Sequence, residues 1–441
     1  MVNRLLGKSL IGLLAAVAVV PLAQAADAPT LNTGSTAWMV TAAVLVLFMC
    51  LPGLALFYGG LVRAKNMLSL FTQCFGIAGV VGVLWVIYGY SMVVDSTGMV
   101  EGQVTVNSFV GGLSRAFLAG MTPDSLVGEI PEGVFVTFQM TFAIITPALI
   151  AGAFAERMKF SAALLFMALW FTLVYAPVAH MVWGGSGALM HNWGVLDFAG
   201  GTAVHINAGV AALAACLILG KRKGYQNEPM PAHNLSLTMA GAAMLWVGWF
   251  GFNIGSGGGL NGTSGIVMLN TQLGACAGIL GWMFTEWFKV GKPSALGLAS
   301  GALAGLVGIT PACAYVGVGG ALAIGLLCGV FCYLSVTVLK RRFGYDDSLD
   351  VFGLHGIGGM IGAILTGVFC IPSMGGLVEG VTLGGQVWAQ IKGVALTTVY
   401  CFVVSWVILK LVNVLVGLRA DESVEDMGLD LAEHNERAYN H

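Results

Sequence analysis

The sequence has few charged residues. Asp, Glu, Lys and Arg together make up 9% of its 441 residues, while 57% are hydrophobic. About a quarter of an ordinary soluble domain is charged, so this composition excludes that class. The formal net charge of −2 indicates no charged partner, because the charges are confined to predicted loops, and no nucleic-acid partner is expected.

The sequence also lacks the spacings of metal and thiol chemistry. None of the nine cysteines forms a CxxC pair, and no HExxH or similar spacing appears on one helix. The cysteines lie in or beside apolar runs, where a free thiol behaves as a small hydrophobic side chain. We therefore expect neither a metal nor a cofactor.

Long apolar runs, in contrast, are abundant. About 20 apolar residues suffice for a helix to cross the hydrocarbon core of a membrane. The sequence therefore predicts an all-α membrane protein with eleven spanning helices. Their expected bounds are about 38–59, 67–93, 133–154, 161–181, 201–219, 235–254, 264–288, 294–311, 315–339, 351–372 and 390–417.

The N-terminal residues 1–25 resemble a removable signal peptide. Arg4 and Lys8 precede a short apolar run, and Ala23-Gln-Ala25 fits cleavage after small residues. The alternative is a genuine first membrane helix. We favour the signal peptide because the run is short and no positive cluster follows it, so the mature N-terminus is expected outside the cytoplasm.

Positive charge is distributed unevenly between the predicted loops. Loops after even-numbered helices carry only Arg115, with Lys392 at the edge of the last helix. Loops after odd-numbered helices carry Arg63, Lys65, Arg157, Lys159, Lys221, Arg222, Lys223, Lys289, Lys292, Lys340, Arg341 and Arg342. This asymmetry predicts a periplasmic N-terminus and a cytoplasmic C-terminus.

Five helices per half predict an inverted repeat. Because five is odd, a second copy must enter the membrane in the opposite direction. The two repeats would cover about 38–219 and 235–372. The eleventh helix, about 390–417, is left over and is expected to clamp the bundle from outside.

Two histidines fall inside predicted membrane helices. His205 follows Asp197 by eight residues, and His355 follows Asp350 by five. Titratable groups in hydrocarbon are costly and usually functional, so we expect the two imidazoles to meet near mid-membrane. The alternative is that both are satisfied core histidines that only hold their helices together.

Asp197 has three open readings: a cation ligand, a proton acceptor or a helix cap. Standard helix geometry places it about 12 Å along the axis from His205 and roughly 80° round it. This separation argues against a membrane enzyme that uses a His/Asp pair. We favour capping, with a weaker electrostatic pull on an approaching cation, and expect Asp350 to be the equivalent cap of the tenth helix.

Seven stretches together carry a resemblance to a known family. They are Ala-Glu-Arg at 155–157, Ala-His-Met-Val-Trp-Gly-Gly at 179–185, Asp-Phe-Ala-Gly-Gly-Thr at 197–202, His-Ile-Asn-Ala at 205–208, Gly-Trp-Phe-Gly-Phe-Asn-Ile-Gly-Ser at 248–256, Thr-Pro-Ala-Cys at 310–313 and Asp-Val-Phe-Gly-Leu-His-Gly at 350–356. From about residue 35 to the C-terminus, the sequence closely resembles bacterial members of the ammonium transporter (Amt/Mep/Rh) family. The resemblance implies two inverted five-helix halves, a homotrimer, and one ammonium pathway in each protomer.

The resemblance also assigns residues to sites. It implies an outer ammonium site at Phe142, Trp183 and Ser256, a stacked gate of Phe142 above Phe252, twin pore histidines His205 and His355, and a supporting Asp197. Aromatic faces attract cations, and the Ser256 hydroxyl can accept a hydrogen bond. The segment between Trp183 and Asp197 is two residues longer than in close relatives, so the shape of the outer vestibule does not follow from the resemblance.

The expected function is ammonium transport across the inner membrane. Ammonium would be recruited outside, lose its proton at or below the gate, and pass the histidines as ammonia. Potassium has a similar size but no proton to lose. The alternatives are a conduit for another small neutral molecule, such as carbon dioxide or methylamine, and an ammonium sensor, which a fused cytoplasmic signalling domain would favour.

The tail, residues 419–441, carries seven of the 21 acidic residues. One interpretation is a solvated acidic tail. The other rests on the resemblance of 428–430 and 438–440 to the family's cytoplasmic regulatory segment, which implies docking of a trimeric PII-type signalling protein.

Overall fold

The structure is a computed structural model that describes residues 30–439. The predicted signal peptide, 1–25, lies outside the described residues. Within them the chain is mostly helical.

Among residues 30–439, ten helices are long and apolar enough to cross a membrane, and an eleventh apolar helix is shorter. In chain order, α1 to α11 are Thr33–Leu61, Ala64–Val94, Glu132–Ala153, Phe160–Trp183, Gly201–Leu219, Leu235–Gly255, Ser264–Val290, Ala295–Ile309, Val318–Phe343, Phe352–Phe369 and Leu383–Val416. The predicted count of eleven is confirmed. The predicted start of the last helix at 390 is wrong, because Thr382 caps α11 by accepting the N–H of Gly385 at 3.2 Å.

The remaining elements are short and lie between or after the spanning helices. Strands β1 (Leu126–Val127) and β2 (Ile130–Pro131) form an antiparallel hairpin before α3. Short helical turns are Val106–Ser108, Ala116–Leu118, Leu189–Asn192, Pro372–Met374, Glu422–Met427 and Leu429–His434.

Several of the long helices are preceded by a residue whose side chain caps the first turn. Asn32 caps α1, Asn234 caps α6 and Ser294 caps α8, each by accepting a backbone N–H three residues later. The first N–H groups of a helix have no partner within it, so a short polar side chain at this position supplies one. These residues mark where apolar runs become helices.

The fold consists of two inverted five-helix halves, α1–α5 and α6–α10, with α11 packed against their outside. The halves meet where α5 crosses α10. A Cβ atom built on Gly209 would collide with the backbone of Gly356, so the two helices can approach this closely only because residue 209 is glycine. Each glycine lies within four residues of one of the two histidines.

The C-terminal tail lies against the start of α2, the start of α4 and the loop after α5. Lys65, in the first turn of α2, donates to the backbone oxygen of Glu425 at 2.8 Å. Phe160, the first residue of α4, donates its N–H to Glu433 at 2.6 Å, and Lys223, after α5, pairs with Asp426 at 2.7 Å. These three sites and the tail therefore share one face of the molecule.

Candidate functional site

His205 and His355 meet at the crossing of α5 and α10. Their Nδ1 atoms are 3.2 Å apart, and the rings lie nearly parallel with an interplanar angle of 21°. Only 2% of His205 and 6% of His355 is exposed. The histidines that the sequence pairs on inverted helices are thus in direct contact.

Both histidines sit on π-helical turns, Gly201–Ile206 and Phe352–Gly356. A π-helical turn inserts one residue into the α-helical register and is frequent at functional sites. The widened turn lies in the first residues of each helix, where it displaces the imidazole relative to the helix that follows. The same local backbone geometry therefore orients both imidazole rings.

Aromatic rings cover His205 on the side away from its partner. Trp249 stacks on it at 5.4 Å between ring centroids, and Phe252 at 6.0 Å. The Nε2 atom of His205 is buried and has no hydrogen-bond partner within residues 30–439. An orphaned ring nitrogen beside a cavity is free to exchange a hydrogen bond with a small passing molecule.

The cavity beside the histidines is narrow and apolar. It is lined by His205, His355 and mainly aliphatic or aromatic side chains, and the centre of a water-sized molecule has about 10 Å³ in which to move. A cavity of this size holds about one water molecule. Only a species as small as water or ammonia fits without displacement of side chains.

Phe142 and Phe252 close this cavity on one side. Their rings stack at 4.1 Å with an angle of 18°, and both side chains are fully buried. Phe138 lies behind Phe142 at 5.0 Å and holds it on the same helix face. The stacked pair leaves no opening between the cavity and the space beyond it unless a ring moves.

A wide vestibule lies above the gate. Its volume is about 530 Å³, and its wall includes Phe142, Trp183, Ser256 and Asp197. Trp183 stands edge-on to Phe142 at 6.1 Å. The Ser256 hydroxyl donates to the carbonyl of Phe252 at 2.9 Å, which leaves its lone pairs as acceptors. The three residues expected at an outer cation site therefore share one chamber.

A second vestibule opens on the opposite side of the histidines. Its volume is about 310 Å³, and Phe57 and Leu354 separate it from the narrow cavity. Its wall is more polar and includes Glu286, Ser294 and Asp350. Two wider chambers thus lie on opposite sides of one narrow apolar constriction.

Asp197 caps α5 with both carboxylate oxygens. Oδ1 accepts the N–H groups of Gly200 at 2.8 Å and Gly201 at 2.6 Å. Oδ2 accepts the N–H of Thr202 at 2.7 Å, the N–H of Ala203 at 3.2 Å, and the Thr202 hydroxyl. The carboxylate makes no contact with His205, so the geometry is that of a cap and not of a His/Asp pair.

The expectation that Asp350 caps α10 is wrong. Asp350 adopts a left-handed backbone conformation with φ of 61° and pairs with Lys340 at 2.7 Å. The cap is Asp347, whose Oδ2 accepts the N–H of Phe352 at 2.7 Å. Asp347 precedes His355 by eight residues, the same interval that separates Asp197 from His205. That repeated interval was the signal that could have identified it.

Trp249 lines the narrow cavity and is not among the residues that the sequence predicts there. Its indole N–H donates to Thr310 at 2.8 Å, which fixes the ring against His205. Trp249 and Phe252 are three residues apart on α6, a spacing that places both on one helix face. This spacing was the available signal.

Two further histidines, His180 and His191, lie in different surroundings. His180 is fully buried, and each ring nitrogen lies within 2.8 Å of a carbonyl oxygen, of Val93 and Asn107. His191 is exposed on the wall of the outer vestibule and belongs to the short helix Leu189–Asn192 in the segment between Trp183 and Asp197. No cluster of three metal-ligating side chains occurs in the part of the chain that the structure describes.

The known sequences that are similar to this chain belong to one family. The model of the Ammonium Transporter Family matches residues 37–439. An ammonium transporter of Bacillus subtilis (strain 168) is 46% identical over 93% of this chain and 99% of its own length. An ammonium transporter of Aquifex aeolicus (strain VF5) is 47% identical over 93% and 94% of the two chains.

Solved structures give the same fold. The crystal structure of Saccharomyces cerevisiae Mep2 superposes with a TM-score of 0.80 at 32% identity, covering 89% of this chain and 91% of its own. A structure titled Sensor Amt Protein has a TM-score of 0.82 at 26% identity, covering 90% and 97% of the two chains.

Proposed function

The chain belongs to the ammonium transporter family and is a multi-pass membrane transporter of ammonium, not an enzyme; from this premise we propose how it works. Ammonium is recruited in the outer vestibule, loses its proton at or below the phenylalanine gate, and crosses the constriction as ammonia. The observation that carries this proposal is the direct contact of His205 with His355 between two open chambers.

The recruitment step uses the chamber that Phe142, Trp183 and Ser256 share. The ring faces attract a cation by about 0.5–2 kcal/mol, more as the cation loses water. The free lone pairs of the Ser256 hydroxyl accept an N–H. Asp197 adds a weaker pull, because its charge is already distributed over five donors.

The gate makes the passage selective. Taking an ion into an apolar constriction costs its solvation, which a narrow cavity does not replace. Ammonium avoids this cost by releasing a proton, whereas potassium has none to release. Phe142 over Phe252 therefore excludes potassium without any contact specific to it.

The twin histidines serve the neutral molecule that remains. Paired imidazoles share one hydrogen bond, and each ring fixes the tautomer of the other. His205 Nε2 then presents one donor or acceptor site to ammonia in an otherwise apolar wall. The pair provides a polar relay point and not a resting charge.

The chain is proposed to mature by removal of residues 1–25 and to lie in the inner membrane as a homotrimer, with one pathway in each protomer. The loops after α1, α3 and α5 carry the positive charge and would face the cytoplasm together with the tail that contacts them. Residues 26–418 would form the transporter domain. Residues 419–441 would be the regulatory segment to which a PII-type protein docks.

Sensing is a second candidate function, because one similar structure is titled Sensor Amt Protein. The two functions differ in flux. Proteoliposomes that hold the purified protein should accumulate ammonium down its gradient if it transports, and should not if it only senses.

The outer site is tested by Trp183→Leu, with Trp193→Leu as the matched control. Trp193 is partly exposed and does not line the outer vestibule, and the Lys392 ammonium lies over its ring at 5.0 Å from the centroid. Loss of about 1–2 kcal/mol of cation–π attraction should raise the half-saturation concentration for ammonium roughly five- to thirty-fold. Uptake at saturating ammonium should stay near the wild-type rate. An unchanged half-saturation concentration in a folded Trp183→Leu protein would remove Trp183 from the site.

A further inference from the structure

Gln390, near the outer end of α11, has its whole amide group engaged in hydrogen bonds. The side chain is fully buried. Its Nε2 donates to the carbonyl of Leu196 at 2.8 Å and to that of Ala363, in α10, at 2.9 Å. Its Oε1 accepts the N–H of Leu196 at 2.7 Å. One side chain thus pairs both backbone groups of a single residue in the vestibule wall.

The segment that Gln390 holds has no regular structure of its own. Residues 194–199 form neither helix nor strand, so their buried backbone groups depend on partners elsewhere. Gln386 supplies another, because its Nε2 donates to the carbonyl of Gly194 at 2.8 Å. In a β-sheet, a neighbouring strand would pair with the backbone N–H and carbonyl of a residue such as Leu196. Here the Gln390 amide pairs with both groups instead.

The held residue lies one position from the recruitment site. Leu196 lines the outer vestibule and is followed by Asp197. The carbonyl of Asp197 accepts the indole N–H of Trp183 at 3.0 Å, and this bond sets the plane of the ring. Gln390 of α11 is therefore connected to Trp183 in three steps: its hydrogen bonds to Leu196, the peptide bond from Leu196 to Asp197, and the hydrogen bond from Trp183 to Asp197.

We propose that Gln390 is a positioning residue of the ammonium site, which holds Trp183 in its cation-binding orientation through Leu196 and Asp197. The inference rests on the proposed function of Trp183. It gives α11 a part in transport as well as in packing, because the helix outside the two repeats then fixes the wall of the recruitment chamber.

The experiment compares Gln390→Met with Gln73→Met in proteoliposomes. Methionine keeps nearly the same volume but removes the amide, and Gln73 is an equally buried glutamine in α2 outside the walls of the vestibules. Gln390→Met should raise the half-saturation concentration for ammonium roughly fivefold, the factor that one lost hydrogen bond of ordinary strength produces. The maximal rate should stay within a factor of about two of wild type, and Gln73→Met should change neither quantity.

The double variant Trp183→Leu/Gln390→Met separates positioning from general loosening. If Gln390 acts through Trp183, the double variant should have the half-saturation concentration of Trp183→Leu alone. Backbone hydrogen exchange should also accelerate in residues 194–203 of Gln390→Met and not in Gln73→Met.

Three results would overturn the proposal: an unchanged half-saturation concentration in Gln390→Met, a further rise of the same factor in the double variant, or an effect confined to the maximal rate. If Trp183→Leu raises the half-saturation concentration and Gln390→Met does not, only this inference fails. If Trp183→Leu has no effect, the proposed outer site fails as well. Should Gln390→Met not fold, Gln390→Asn keeps the amide but shortens its reach, and it supports the same comparisons.

Discussion

The first turns of α5 and α10 have the same arrangement of residues in the two inverted halves. They differ in the number of hydrogen bonds that the aspartate before each helix accepts. In both, an aspartate lies eight residues before a histidine, and the histidine lies on a π-helical turn. Asp197 accepts five hydrogen bonds. Asp347 accepts one through Oδ2, and its buried Oδ1 has no partner among residues 30–439.

This difference has electrostatic consequences. Five donors satisfy both oxygens of the Asp197 carboxyl group despite its burial. Burial raises the pKa of the Asp347 carboxyl to about 6, against the pull of Lys340 and with repulsion from Asp350. The shared spacing thus places the two histidines together, whereas the donors around the two aspartates differ.

The largest expected effect comes from removing one member of the histidine pair. His205→Ala or His355→Ala deletes the relay and widens the constriction, so ammonium-driven uptake should fall about tenfold or more, or potassium should begin to pass. His233→Ala, a histidine in the loop between α5 and α6, is the matched control and should transport normally. Uptake assays with both cations, on variants of equal melting temperature, measure this.

If the histidines serve only to hold α5 and α10 together, the outcome differs. The melting temperature should then fall, and whatever protein remains folded should transport ammonium with wild-type selectivity. Variants with wild-type melting temperature, ammonium flux and preference for ammonium over potassium would show that the histidine pair is essential neither for transport nor for stability.

The next effect tests the two aspartates against each other. Asp197→Ala leaves four backbone N–H groups and a hydroxyl without their acceptor, and should lower the free energy of unfolding by about 2 kcal/mol or more. Asp347→Ala removes a single accepted bond together with a costly buried charge, so it should be much less destabilising at neutral pH. Thermal unfolding in one detergent at one pH compares them, and equal losses would show that the contacts do not differ in the way described.

A smaller effect depends on pH and belongs to Asp347. A carboxyl whose pKa is higher in the folded protein than in the unfolded chain favours folding when protonated. This stabilisation is complete below about pH 4 and is lost as pH rises through about 6. The difference from the ordinary value of 3.8 corresponds to roughly 3 kcal/mol.

Asp347→Asn tests this sign directly, since its amide oxygen can still accept the N–H of Phe352. The variant should be more stable than wild type above pH 6, and the difference should shrink towards pH 4. Other titrating groups cancel in the comparison. A variant less stable than wild type at pH 7 would show that the ionised carboxylate contributes favourably to the fold.

Much of this arrangement could be predicted from the sequence, because local and repeating patterns carry it. Apolar run lengths identify eleven helices, and two histidines at equivalent positions of inverted halves predict their contact. The sequence predicts Asp350 as the cap of α10, which is wrong because Asp350 has a left-handed backbone conformation and pairs with Lys340. The eight-residue interval between aspartate and histidine matters because it places the carboxylate before the first residue of the π-helical turn, where it can accept the first N–H groups.

Other features could not be predicted because they depend on contacts between distant segments. Gln390 meets Leu196 across 194 positions of the chain, and no local pattern in α11 indicates which backbone it pairs with. Trp249 faces His205 only because Thr310 fixes its indole ring. Such contacts follow from how the halves pack and not from periodicity.

The most direct test of the central claim is the ion preference of the wild-type protein. In proteoliposomes, an ammonium gradient should drive uptake, while an equal potassium gradient should neither drive transport nor slow that of ammonium. This result follows if a cation passes the dry gate only after it has shed a proton. Potassium transport at a rate comparable to that of ammonium would contradict the account, since potassium has no neutral form that fits between Phe252 and His205.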